Sequence, residues 1–264
     1  MLQTQIQNRL TDLFEQRQKP LLSLFYTAGY PRLGDTLPIL KAIERAGADF
    51  VEIGMPYSDP LADGATIQAS SVQALDNGMT LDLLFEQLAE MRREVSLPVV
   101  LMGYYNPVLQ YGVERFLTAC AEVGVDGLIL PDLPLAEYEA EWQPRYEAHG
   151  LCNIMLVTPR TPESRIRRID AATSGFLYAV SSASTTGSKQ LSGVSDYLEG
   201  LAAMELQNPI MTGFNVRDRE SFRAATGHTR GAIVGSAFVR LLGEYGVDAD
   251  RIETFVAGLK SSTL

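Results

Sequence analysis

The chain has 264 residues, 46% of them hydrophobic, and a formal net charge of -10 at pH 7. Its pI near 4.8 excludes the basic stripe that a nucleic acid or an anionic membrane surface demands, and no apolar run reaches the ~18 residues of a membrane span. Cys120 and Cys152 lack metal-ligand spacing to His149 or His228 and are read as buried free thiols; no metal site is expected.

Residues 2–18 place Leu2, Ile6, Leu10, Leu13 and Phe14 on one helical stripe, which predicts a leading helix laid against an apolar surface such as the bottom of a barrel. No charged-then-apolar start marks a signal peptide, so a reducing, cytoplasmic setting is expected. After Pro20, Leu21 to Tyr26 read as a buried strand, followed by an amphipathic segment from Asp35, an N-cap type, to Ala46 with Gly47 as C-cap. The same unit then recurs. Strands are predicted at Phe50–Ile53, Pro98–Met102, Gly127–Leu130, Asn153–Val157, Gly175–Val180, Pro209–Met211 and Gly231–Val234, with helices over 80–94, 112–123, 135–149, 162–171, 193–205, 217–226 and 248–260. Eight wholly apolar strands alternating with helices imply a parallel sheet covered on both faces and closed into a (β/α)8 barrel with an extra N-terminal helix, one domain over 1–264. An open doubly wound sheet would want a glycine-rich phosphate turn after the first strand, and Thr27-Ala28-Gly29-Tyr30-Pro31 is not one.

One stretch breaks the pattern. The second strand carries Glu52 inside an apolar run, where an ionised carboxylate costs several kcal/mol or takes a raised pKa. Asp59 and Asp63 follow on a loop stiffened by Pro56 and Pro60. A strand and a loop that each deliver an acid suit general acid-base chemistry; an ion-paired strand residue beside ordinary Asp-Pro and Asp-Gly turns is the other reading. The small polar residues of 181–193 suggest a lid over the top of the barrel, or an idle loop. Gly213-Phe214-Asn215 after the seventh strand and Gly235-Ser236 after the eighth stand where phosphate-binding barrels build their anion pocket from backbone amides, and Gly187 could add a third amide. Such a pocket reconciles an acidic chain with an anionic substrate; Gly213 and Gly235 as mere strand ends are the other reading.

The run Glu52 to Gln68, with Pro56-Tyr57-Ser58-Asp59-Pro60 and Ala62-Asp63-Gly64, resembles the signature of the tryptophan synthase alpha-subunit family. So do Leu24 to Gly29, Tyr104-Tyr105-Asn106-Pro107, Pro131-Asp132-Leu133-Pro134, Tyr178 before Thr185-Thr186-Gly187, and Gly235-Ser236, so that the resemblance covers nearly the whole chain. It implies retro-aldol cleavage of indole-3-glycerol phosphate to indole and glyceraldehyde 3-phosphate, with Glu52 and Asp63 as the catalytic pair. It further implies Phe25, Met102, Tyr104, Ile129, Tyr178 and Thr186 around the substrate, with Gly187, Gly213, Phe214, Asn215, Gly235 and Ser236 at the phosphate. It implies an α2β2 complex in which indole passes to a pyridoxal-phosphate-dependent beta subunit, with no cofactor in this chain; residues 55–63 and Asn106-Pro107 would face that partner. Asn215, Ala65 and Ser182 depart from the commoner pattern of a second glycine, a proline and an arginine.

The chemistry agrees with these residues. Glu52, neutral in an apolar interior, can deliver a proton to indole C3 and take one from the hydroxyl that becomes the aldehyde, while ionised Asp63 accepts the indole N–H. The hydroxyl of Tyr178 could orient Glu52, or the ring could simply fill the barrel. A Schiff-base aldolase is disfavoured, because Lys19, Lys41, Lys189 and Lys260 fall outside the strands. A free-standing lyase that releases indole, and an idle subunit kept to activate a partner, remain as alternatives.

Overall fold

Strands that are apolar on both sides need side chains from neighbouring strands on one face and helices on the other, and the architecture supplies both. The computed structural model describes residues 6–17, 20–180, 190–213 and 216–260, with backbone alone for 190–193. The strands are β1 Leu21–Thr27, β2 Phe50–Gly54, β3 Val99–Met102, β4 Gly127–Ile129, β5 Cys152–Val157, β6 Leu177–Ala179, β7 Ile210–Thr212 and β8 Gly231–Val234. All pair in parallel and in sequence order, and β1 returns to β8 from Leu21↔Gly231 to Leu24↔Val234. The result is the closed (β/α)8 barrel that the alternation predicts.

Parity along each strand sorts inside from outside. Leu21, Phe25, Phe50, Val100, Ile129, Ile154, Tyr178, Met211 and Ile233 belong to the interior cluster, whereas Leu22, Leu24, Tyr26, Val51, Ile53, Leu101 and Leu128 join the layer beneath the helices. Glu52 lies two residues beyond Phe50 and is in register with Phe25 on one side and Val100 on the other. It is an interior residue.

Helix α1, Arg9–Gln16, closes the N-terminal mouth of the barrel. Its Phe14 ring lies 6.2 Å from that of Phe50 and 5.7 Å from that of Phe176 between centroids. The helix is shorter than the expected 2–18: residues 1–5 lie outside the described residues, and Asn8 is extended, its side chain accepting the amides of Leu10 and Thr11 as an N-cap. The side-chain amide of Asn8 donates to the carbonyls of Asp126 at 2.8 Å and Gly150 at 2.9 Å, which ties α1 to the turns before β4 and β5.

The outer layer comprises α2 Thr36–Ala46, α3 Ala65–Asp76, α4 Leu81–Leu88, α5 Met91–Glu94, α6 Tyr105–Tyr111, α7 Val113–Val123, α8 Leu135–Glu137, α9 Gln143–Ala148, α10 Glu163–Ala172, α11 Gln190–Ala203, α12 Arg219–Thr226, α13 Ser236–Tyr245 and α14 Ala249–Lys260. Gly47 ends α2 at φ 83° as a left-handed C-cap. Asp35 does not cap α2 through its side chain, because a 3-10 turn over Leu33–Asp35 already leads into the helix. The segment expected as one helix over 80–94 is two, since Glu90 leaves helical geometry at φ -98°, ψ 6°. Between α8 and α9 the backbone widens into a π turn over Tyr138–Trp142, just ahead of Pro144, whose ring and missing amide a regular helix would not accommodate. Two further helices, α3 and α6, were not expected from hydrophobic spacing. The helix after β6 begins at Gln190, inside the expected 181–193 connection, and residues 181–189 lie outside the described residues.

Candidate active site

The alternation of β2 carries Glu52 into the barrel. It is fully buried, and neither carboxylate oxygen meets a hydrogen-bond partner among the described residues. Burial without a compensating donor pushes the carboxyl up to about 8, which leaves it mostly protonated at neutral pH. The ion-paired reading of Glu52 therefore fails.

Asp63 arrives from the loop between β2 and α3. That loop is folded back on itself by Leu61 N–H donating to the Asp59 carbonyl at 2.9 Å and Asp63 N–H to the Pro60 carbonyl at 3.1 Å. From α3, the Gln68 side-chain amide donates to the Asp63 carbonyl at 2.9 Å. Tyr104, which follows β3, donates its hydroxyl to Asp63 Oδ2 at 3.1 Å and accepts the Ala62 N–H at 3.1 Å. Burial raises the Asp63 carboxyl above its usual range, and the Tyr104 hydrogen bond works against that rise. Ala65 takes the first position of α3, where a proline's missing amide would cost nothing.

Tyr178 is buried in the middle of β6. Burial raises its phenol pKa, and the charges of Glu52 and Asp63 raise it further, so both acids act on the same hydroxyl. Of the two readings of Tyr178, the orienting hydrogen bond to Glu52 is not made. The phenol lies against Gly213 instead: a Cβ at 213 would stand 2.5 Å from the Tyr178 oxygen. The Gly213 amide donates to the Ala179 carbonyl at 3.1 Å, so this glycine offers close approach. A Cβ at Gly235 would stand 3.7 Å from Phe25 and 3.9 Å from Ile67. Ser236 then opens α13, a ten-residue helix whose first amides no helical carbonyl can reach.

Phe25, Met102, Tyr104 and Asp63 line one cleft, together with Gly54, Met55, Ile67, Ser71 and Gly103, which sequence reasoning missed. Glu52 stands beside that lining, in register with Phe25 on the neighbouring strand. Gly54 is glycine for a steric reason, since a Cβ there would stand 2.5 Å from the Phe25 ring; its inward parity with Glu52 was the available signal. Ile129 lies deeper, fully buried in the interior cluster. Thr186, Gly187, Phe214, Asn215 and Ser182 lie outside the described residues. Among the described residues no cluster of His, Cys, Asp or Glu could hold a metal ion, and no helix is long and apolar enough to cross a membrane. The cleft thus holds an acid bound by a phenol between apolar walls, and through Phe25 it adjoins both the buried Glu52 and Gly235 before α13.

Comparison with known proteins points the same way. The family model described as tryptophan synthase alpha chain matches residues 12–263. The tryptophan synthase alpha chain of Parabacteroides distasonis is 50% identical over 255 residues, covering 96% of this chain and 99% of the relative. That of Flavobacterium johnsoniae is 49% identical over 255 residues, covering 96% and 100%. Among solved structures, tryptophan synthase from M. tuberculosis in its aminoacrylate-bound form superimposes with a TM-score of 0.85 at 30% identity, covering 96% of this chain and 98% of the other.

Proposed function

Because the chain belongs to the tryptophan synthase alpha-chain family, we propose that Glu52 and Asp63 carry that family's reaction in the cleft lined by Phe25, Met102 and Tyr104. The reaction is a carbon–carbon lyase step of tryptophan biosynthesis: cleavage of indole-3-glycerol phosphate to indole and glyceraldehyde 3-phosphate, within an α2β2 complex that includes the beta subunit. The observation that carries the residue assignment is the fully buried Glu52 carboxyl with no hydrogen-bond partner among the described residues. Leaving such a group orphaned costs stability without return unless a substrate engages it.

In this reading protonated Glu52 gives its proton to indole C3, and the ring becomes a cationic electron sink. The resulting carboxylate removes the proton from the side-chain hydroxyl. The C–C bond breaks toward the ring, the aldehyde forms, and Glu52 regains its proton. Asp63, ionised and held by Tyr104, accepts the indole N–H and stabilises the positive charge as it develops. Phe25, Met102, Ile129 and Tyr178 enclose the indole. Thr186 and Gly187 cover the substrate, and the phosphate rests on the turns at Gly213, Phe214, Asn215, Gly235 and Ser236, with the dipole of α13 supplying charge that an acidic chain does not. The proposal extends to a cytoplasmic setting, to one functional domain over 1–264, and to pyridoxal phosphate residing on the beta subunit and not here.

The test is incubation of the purified chain with indole-3-glycerol phosphate, alone and with beta subunit, while free indole is followed. Cleavage should follow a bell in pH, lost above about 8 as Glu52 ionises and lost on the acid side as Asp63 protonates. Undiminished cleavage by Glu52→Gln would refute the assignment of Glu52, and no cleavage by the wild-type chain under either condition would leave the chain as an activator of its partner.

A further inference from the structure

Asp63 stands on a loop, and a loop carboxylate that must meet a developing charge needs an anchor. The anchor on the page is Tyr104, which touches the 55–63 loop at two places. At the far end its hydroxyl binds both the Asp63 carboxylate and the Ala62 amide. At the near end its ring meets that of Tyr57, with centroids 5.2 Å apart and planes inclined by 35°. Tyr57 is in turn fixed from outside, since the exposed side-chain amide of Asn106, in the first turn of α6, donates to the Tyr57 hydroxyl at 3.3 Å. Tyr104 is thus a post about which the loop wraps, held by a tilted ring contact at one side and by hydrogen bonds at the other. A turn of Tyr104 about its Cα–Cβ bond would swing the hydroxyl away from Asp63, and the tilted ring of Tyr57 packed against it is what opposes that swing.

We propose that Tyr57 is a positioning residue for the cleavage reaction, whose ring holds Tyr104 and through it sets the placement of the Asp63 carboxylate. The inference rests on the reading of Asp63 as the acceptor of the indole N–H. Tyr57 touches no reacting atom in this scheme. The titratable groups around Asp63 are Tyr104, which follows β3 and donates to it, and Tyr178 from β6, which feels both Asp63 and Glu52; Asp132 acts in turn on Tyr104, and Tyr57 reaches the carboxylate through Tyr104.

The sign of the effect follows from the hydrogen bond. Donation by Tyr104 favours the ionised form of Asp63, so a loosened Tyr104 lets the carboxyl protonate at higher pH. The experiment uses the full chain labelled with 13C at aspartate carboxyls, the Asp63 signal being assigned by its loss in Asp63→Asn. Its titration is compared in wild type, Tyr57→Leu, Tyr57→Phe and Tyr104→Phe, beside the pH profile of indole release in the complex with beta subunit. Tyr57→Leu should raise the Asp63 midpoint by about half to one pH unit, in the same direction as Tyr104→Phe, and move the acid limb of kcat/KM with it. Tyr57→Phe, which keeps the ring, should restore the wild-type midpoint. An unmoved Asp63 midpoint in Tyr57→Leu, with cleavage lowered equally at every pH, would reduce Tyr57 to filling space and overturn the proposal. So would a shift in Tyr57→Phe as large as that in Tyr57→Leu. Should Tyr57→Leu fail to fold, Tyr57→Met carries the same comparison. Wild-type cleavage by Asp63→Asn would instead defeat the reading of Asp63 itself, while the carboxyl titration still decides the role of Tyr57.

Discussion

Two of the buried carboxylates, Glu52 inside the barrel and Asp126 at the turn before β4, are treated in opposite ways. Asp126, toward the N-terminal mouth, accepts the Val99 amide at 2.8 Å and the Arg92 guanidinium at 2.8 Å, with Arg9 at 3.0 Å from its other oxygen. Burial still raises its pKa, but Arg92, the Val99 amide and Arg9 each pull it down. Glu52 has burial and nothing to oppose it. A carboxylate that is surrounded by donors is fixed in one protonation state and serves as a structural bolt; one that is left without donors keeps its proton mobile near neutral pH. Burial alone does not nominate an acid for catalysis; in the proposed scheme it is burial with both carboxylate oxygens unpartnered that singles out Glu52.

Substitution sharpens the contrast most at Glu52. Glu52→Gln should lower the rate of indole release about a thousandfold while the fold persists, as read by circular dichroism and steady-state turnover. The same variant tests stability against pH. The folded pKa of Glu52 is raised to about 8 from 4.5, so its burden on the fold is absent below about pH 4.5, grows as pH rises, and levels off above about 8. Urea denaturation should therefore show Glu52→Gln matching wild type near pH 4.5 and exceeding it by several kcal/mol near pH 8. Equal stability at both pH values would erase the distinction between the two acids. For the other acid, Asp126→Asn should cost about 3 kcal/mol by leaving the half-buried Arg92 beside a neutral amide, with turnover per folded molecule unchanged. Arg9→Ala should cost about 1 kcal/mol or less, because the Arg9 side chain is 42% exposed and its charge is screened; thermal melting reads both.

The fold was legible because wholly apolar strands repeat with helices between them, and Glu52 was legible because it violates that run. Helix α3 was not, since its buried face is built from Ser70, Ser71 and Ala74, small residues that carry little hydrophobic signal. Helix α6 was hidden by Asn106-Pro107, which reads as a turn although proline fits a helix's first turn equally well. In the cleft, Met55, Ile67 and Ser71 look like any core residue until the loop and α3 are placed over β2. The absent bond from Tyr178 to Glu52 also could not be foreseen, because it depends on the space above Gly213. The contact of Tyr57 with Tyr104 joins residues distant in sequence, and nothing in either neighbourhood announces it.

The pairing of β1 with β8 has a consequence for how the polypeptide is made. Until residues 231–234 emerge and add to Leu21–Leu24, a nascent sheet of seven strands has two open rims of unpaired backbone, each a template for association with another chain. Truncation before residue 230 should for this reason yield a product that aggregates, and the final strand acts as the clasp without which the earlier ones stay sticky.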